Sequence, residues 1–230
     1  MSGYRGRGRG TRGGSRGGGY QGRDVILELP DYDTWKTDCG HSWCEEILAE
    51  KIRLRRRKRG GAGVLCLISD PNRELHVLLG QNASTKEGKE DQFGKWAIVT
   101  GGSEPQDQFC FVRTALRELR EEFKLEIPDT LIKGYVEFQG TPVFVARLPE
   151  VQAIQTALDN VEEAYNDPNL DSTLKEMRTL ATVPLGFFSR PRKVVRASDL
   201  LPIPPDGDLE VTTYTQGVLQ ELIQNIRKFL

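Results

Sequence analysis

Apolar positions in this chain come in short runs, and their spacing alternates between strand-like and helical periods. Val25-Ile26-Leu27-Glu28-Leu29 reads as a strand that stops at Pro30. Trp35, Trp43, Ile47 and Leu48 follow on a short helix that ends near a basic run. Val64-Leu65-Cys66-Leu67-Ile68 is continuously apolar, as a strand buried on both faces should be. Asp70-Pro71-Asn72 supplies a turn, and Leu75 to Gly80 returns as the second arm of a hairpin. Residues 82–92 are polar and read as loop, and Gly94-Lys95-Trp96-Ala97-Ile98-Val99 leads to Thr100-Gly101-Gly102. From about residue 106 the period becomes helical, with Val112, Ala115, Leu116, Leu119 and Phe123 on one face and Pro128 closing the region. Two more strands are expected at 132–139 and 142–148, a helix at 150–165, and a further strand from Met177 to Leu185. Residues 186–210 are rich in Pro and basic side chains. The last stretch, Thr215 to Leu230, places Val218, Leu219, Leu222, Ile223, Ile226 and Leu230 in helical register.

The helix expected after Gly102 carries a second pattern. Glu118, Glu121 and Glu122 fall at i, i+3 and i+4, so all three carboxylates share a face. Carboxylates so close repel one another unless a cation sits among them. Taken alone, Arg117-Glu118-Leu119-Arg120-Glu121-Glu122 is an ordinary solvated amphipathic helix. Its surroundings favour a metal site instead.

Charge sharpens the picture. The 230 residues hold 32 Lys+Arg and 33 Asp+Glu, a net charge of −1. Residues 1–23 carry six Arg and no acid, which leaves the rest at −7. That segment is Gly, Arg, Ser and two Tyr without apolar periodicity, so a disordered tail is expected, of the Arg-Gly kind that contacts RNA. Residues 51–59 hold seven positive charges. They read as a polyanion-binding patch, a nuclear-import signal, or a basic strand leading into a domain. Arg190-Pro191-Arg192-Lys193-Val194-Val195-Arg196 is a third basic segment. No apolar run is long enough to span a membrane, and the first residues lack the apolar core of a signal peptide. A cytoplasmic, non-secreted protein is expected, with the nucleus as the alternative. The four cysteines, Cys39, Cys44, Cys66 and Cys110, form no even disulfide framework. Cys39, His41 and Cys44 could ligate zinc, but a fourth ligand is missing and the spacing matches no common module, so a structural zinc is not expected.

The order of strand, hairpin, Gly-Lys-Trp-Ala, Gly-Gly and Arg-Glu-x-x-Glu-Glu resembles the Nudix hydrolases over roughly residues 60–230. Arg117 to Leu125 matches the second half of the family signature except at Lys124, where the family has Gly. In the first half, counting back puts Ser103 and Phe109 where Gly and Glu are expected, and Gly102 lies one residue early. Glu104 and Asp107 are the acids nearest to the absent Glu. Glu176, ahead of Leu180-Ala181-Thr182-Val183-Pro184-Leu185, resembles a late family Glu that adds a metal ligand or a base; as a bare residue it is equally a helix-end surface charge.

The resemblance implies an α/β fold, a Nudix-type α/β/α sandwich with a mixed sheet at 60–230, preceded by an extension at 24–59 and the tail at 1–23. It implies hydrolysis of a pyrophosphate link with Mg2+ or Mn2+ as cofactor. Glu118, Glu121, Glu122 and the Gly102 backbone would hold the metal. Glu118, Glu121 or Glu176 would act on water, and Arg117 would orient a carboxylate through a bidentate pair. Trp96 and Tyr135 could stack on a purine, though both read first as core. The signature does not choose among capped RNA, sugar nucleotides, dinucleotides and inositol pyrophosphates. The basic segments favour RNA, with Arg55, Arg56, Arg57, Lys58, Arg59, Arg192 and Lys193 as phosphate contacts, and hence decapping. The alternatives are hydrolysis of small nucleoside diphosphate derivatives, dinucleoside polyphosphates or inositol pyrophosphates, and a non-catalytic RNA-binding protein on the same fold.

Overall fold

The computed structural model describes residues 39–53, 60–84, 90–149, 151–170, 175–189 and 209–230. The expected tail at 1–23, the strand at 25–29, and Arg55 to Arg59, Arg192 and Lys193 lie outside the described residues. All the described residues fall in one compact unit, Lys36–Leu230.

Seven strands form one mixed sheet. They are β1 (Gly61–Ser69), β2 (Leu75–Asn82), β3 (Trp96–Ala97), β4 (Val99–Gly102), β5 (Ile132–Phe138), β6 (Thr141–Arg147) and β7 (Met177–Pro184). The order is β3-β2-β1-β6-β5, with β4 also paired to β1 and β7 to β2. β1 and β6 run parallel, Val64 opposite Phe144, and the other pairs are antiparallel. β1 is central, and its apolar run is buried from Ala62 to Ile68. Leu65 and Leu67 join Val77, Leu79, Val143, Val145 and Val183 in a core closed by Val218, Leu219 and Leu222. Those last three belong to α4 (Thr213–Asn225). By strand alternation Val64, Cys66 and Ile68 face the other side, where α2 (Phe111–Glu122) contacts β1, β4 and β6. Burial pushes the Cys66 thiol up to about 12, which leaves it an inert core residue. Two further helices complete the fold: α1 (Ser42–Arg53) and α3 (Val151–Asn166), which packs on β7. The architecture is the expected α/β/α sandwich. Among the described residues, no helix is long and apolar enough to cross a membrane.

Three elements differ from the expectation, each for a local reason. The Gly101-Gly102 pair belongs to a strand, because Gly61 and Ala62 of β1 pair with it. α2 begins at Phe111 rather than near 106, because Gln108 and Phe109 adopt left-handed backbone angles, φ 51° and 58°, that no α-helix accommodates. α1 takes in the start of the basic run. Lys51 donates to the Gly140 carbonyl at 2.9 Å and lies 5.4 Å from the Phe111 ring centre, so this cation serves packing.

Candidate active site

The site is built on α2. Leu, Arg, Glu and Ala dominate its sequence and all favour helix. Cys110 caps its start, the sulfur accepting from the Arg113 amide at 3.4 Å. Val112, Ala115 and Leu119 are buried toward the sheet, and Phe123 closes the end. Arg117 and Glu118 are also buried, each 8% exposed. Charged groups so deep need partners.

Arg117 has them. Its Nε and Nη2 reach the two carboxylate oxygens of Asp107, each at 3.2 Å. Nη2 also donates to the Gly102 carbonyl at 2.7 Å and lies 2.9 Å from Glu118. Nη1 donates to Glu121 at 2.8 Å. Burial alone would lower the guanidinium's proton affinity, but Asp107, Glu118 and Glu121 outweigh that and hold it up. The bidentate partner of Arg117 is therefore Asp107, and one cation spaces Glu118 and Glu121.

Asp107 is only 3% exposed and also accepts from Thr114 Oγ1 at 3.0 Å and the Glu104 amide at 2.9 Å. Counting along the sequence points to Phe109, which is 38% exposed. The two left-handed residues after Asp107 absorb the extra residue of the loop and let this acid turn inward under α2.

Glu118 lies over the β4 backbone. A Cβ at Gly101 would collide with its carboxylate, whereas one at Gly102 would meet nothing within 4 Å. The close approach that glycine permits is thus at Gly101. Burial raises the proton affinity of Glu118; Arg117 opposes this, and the charges of Glu121 and Glu176 add to it. Glu118 therefore feels both Glu121 of α2 and the late Glu176 ahead of β7.

Glu122 and Glu176 line a cavity of about 310 Å³. Asn82, Ser84, Gln92 and Thr100 supply further polar lining, Met177 and Ile98 apolar lining, and Thr212, Tyr214 and Thr215 of the α4 start another wall. That wall is tied down: Thr215 Oγ1 accepts from the Ile98 amide at 3.1 Å, and the Thr212 amide donates to the Trp96 carbonyl at 2.9 Å. Trp96 is fully buried in the core and half-buried Tyr135 packs on Phe144 at 6.0 Å between ring centres, and neither lines the cavity. The cavity walls lie too far apart in sequence for motif spacing to find them. Thr212 ahead of an apolar helical run is a legible N-cap, but nothing in that pattern says that it faces a cavity.

The donor set suits a hard divalent cation. It offers carboxylate oxygens and a backbone carbonyl, all hard ligands, and a cation among them would offset the mutual repulsion that Glu118 registers. Among the described residues, the triplets whose ligand atoms all lie within 4.8 Å of one another are Cys39, Cys44, Cys110 and Asp70, Glu74, His76. Glu118, Glu121 and Glu122 are not such a triplet, and Glu118 and Glu121 each contact Arg117 instead.

Solved structures with similar folds include the Nudix hydrolase RenU from M. smegmatis, 16% identical, covering 74% of this chain and 86% of its own, TM-score 0.40. A mutT/nudix family protein from Listeria innocua is 19% identical and covers 74% and 95%, TM-score 0.42. The NUDIX domain of Shewanella oneidensis NrtR, solved with ADP-ribose, is 12% identical and covers 77% and 97%, TM-score 0.42. No curated protein matches the chain. The NUDIX domain model matches residues 59–197, more than half of the sequence, and the chain belongs to the Nudix family.

Proposed function

We propose that this Nudix pyrophosphohydrolase uses Mg2+ or Mn2+ on the α2 carboxylates, and that its preferred substrate is the 5′ cap of RNA. The observation that carries the proposal is that Glu122 of the signature helix and Glu176 of the β7 approach line the same cavity. A pyrophosphate lying along that acidic edge leaves one attached group to fill about 310 Å³, the lower end of the range for ligand pockets.

Glu118, Glu121, Glu122 and the Gly102 carbonyl are the ligands in this reading. A bound divalent ion would neutralise the diphosphate and lower the pKa of an attacking water. Arg117 keeps Glu118 and Glu121 apart and oriented. Glu176, which lines the same cavity as Glu122, takes the proton from water. Replacing it with Gln lowers kcat by about 10²-fold or more, with little change in KM.

The case for RNA rests on the basic segments at 1–23, 51–59 and 190–196. A cap supplies one base-sized group for the cavity and a polyphosphate for the carboxylates. The strand behind it is a polyanion of the kind that Arg-rich segments attract by charge, with the cytoplasm as the proposed site of action and the nucleus as the alternative. The second reading, a small nucleotide or inositol pyrophosphate, is favoured by the modest cavity alone. A panel of capped RNA, dinucleoside polyphosphates, ADP-ribose and inositol pyrophosphates, with Mg2+ and with Mn2+, separates them. The proposal expects faster cleavage of capped RNA than of cap analogue. Deleting residues 1–23 should slow cleavage of capped RNA and flatten its salt dependence, while hydrolysis of the small substrates stays the same. Faster hydrolysis of free cap analogue would overturn the RNA preference.

A further inference from the structure

Cys110 does more than cap α2. Its sulfur lies 3.7 Å from that of Cys44 in α1, and Cys39 brings a third thiol within 4.8 Å of both. We infer that Cys39, Cys44 and Cys110 form a thiolate site for zinc, joining α1 to the first turn of α2.

The distance suits that ion. Zn–S bonds of about 2.3 Å in a tetrahedron put neighbouring sulfurs about 3.8 Å apart. A disulfide has no use for a third sulfur at the same spot. Cys44 and Cys110 are fully buried and Cys39 is half-buried, so the cluster has a dry inner side and one more accessible edge. Backbone amides supply the outer contacts that buried thiolates need: Arg113 N–H points at Cys110 and Val112 N–H at Cys44. Both amides belong to the first turn of α2, whose partial positive charge favours anionic sulfur.

Gly40 has φ 71°, a left-handed conformation between Cys39 and the start of α1. The Cys44 amide then donates to the His41 carbonyl at 3.0 Å. His41 Nε2 lies 3.4 Å from Asp129 Oδ2, and the assignment leaves the fourth position to water. No pattern in the sequence links Cys110 to Cys39 and Cys44, because 66 residues separate it from Cys44. A thiolate centre here is chemically distinct from the all-oxygen set of Glu118, Glu121 and Glu122, so the two metals would not compete.

Metal analysis of the full chain, purified from zinc-replete medium, tests the inference. It expects one zinc per chain in the wild type and in Cys66→Ala, whose sulfur lies elsewhere in β1. Cys44→Ala and Cys110→Ala should bind zinc roughly tenfold or more weakly. Cys39→Ser, outside the helices, should do the same with the fold intact. Cobalt added to the metal-stripped wild type should give a thiolate-to-metal charge-transfer band, which carboxylate ligation does not produce, so this readout needs no variant to fold. A wild-type chain that holds no zinc and gives no such band would overturn the site and leave three thiols hydrogen-bonded to one another. Undiminished zinc in the Cys44→Ala/Cys110→Ala double variant would overturn it too.

Discussion

Gly101 and Gly102 are adjacent, and a methyl group would affect them oppositely. At Gly101 a Cβ runs into the Glu118 carboxylate; at Gly102 it meets open space, and the backbone is not left-handed. Gly101→Ala should therefore displace Glu118 and abolish pyrophosphate hydrolysis, while Gly102→Ala, which keeps its carbonyl, retains it. Steady-state rates beside circular dichroism spectra check both. Asp107 carries the buried charge of Arg117. Asp107→Ala leaves a guanidinium short of its bidentate partner and should cost about 3–5 kcal/mol in urea unfolding. Asp107→Asn, which keeps the shape, should cost less. Glu118 sets a pH dependence. Its proton affinity is raised by burial, so just above the ordinary carboxylate range the folded chain holds a proton that the unfolded chain has lost. Stability therefore falls as pH rises through that window. Glu118→Gln should remove this component, giving a shallower decline in Tm from acidic to neutral pH in chelator. Parallel profiles for the two proteins would refute this role of Glu118.

At the scale of elements, α2 ends as tellingly as it begins. Lys124 stands where the family signature has Gly, and its φ is +53°. That conformation explains the family's glycine: the chain needs a left-handed residue to leave the helix. Lysine tolerates it at a cost of about 1–2 kcal/mol and returns a hydrogen bond from Nζ to the Glu121 carbonyl, 2.6 Å. Lys124→Gly should thus change stability by less than about 1 kcal/mol, because relief of strain is offset by added freedom in the unfolded chain. Lys124→Val should destabilise by about 1 kcal/mol or more, since a β-branched residue resists positive φ. Chemical denaturation of the pair checks the asymmetry. β1 and α4 are legible in the sequence because their apolar residues are buried in a regular pattern, Val64–Ile68 on both faces of the sheet and Val218, Leu219 and Leu222 on one side of the helix. The entry into α2 is not legible. Two left-handed non-glycine residues, Gln108 and Phe109, stand between Asp107, held by Thr114 and Arg117, and the helix start, a conformation that no local propensity encodes.

At the scale of the molecule, the site divides by chain distance. Arg117, Glu118, Glu121 and Glu122 are legible because one helix holds all of them. The cavity is not, since its walls run from Asn82 to Thr215 and only the sheet brings them together. The thiol cluster is hidden for the same reason. The central claim is that the α2 carboxylates, with a divalent ion, hydrolyse a pyrophosphate. The most direct measurement is turnover of the panel substrates by the wild type and by Glu121→Gln, with Mg2+ present and after chelation. The account predicts turnover in the wild type only, lost on chelation and restored by Mg2+ or Mn2+. Equal turnover by Glu121→Gln in saturating metal would contradict it.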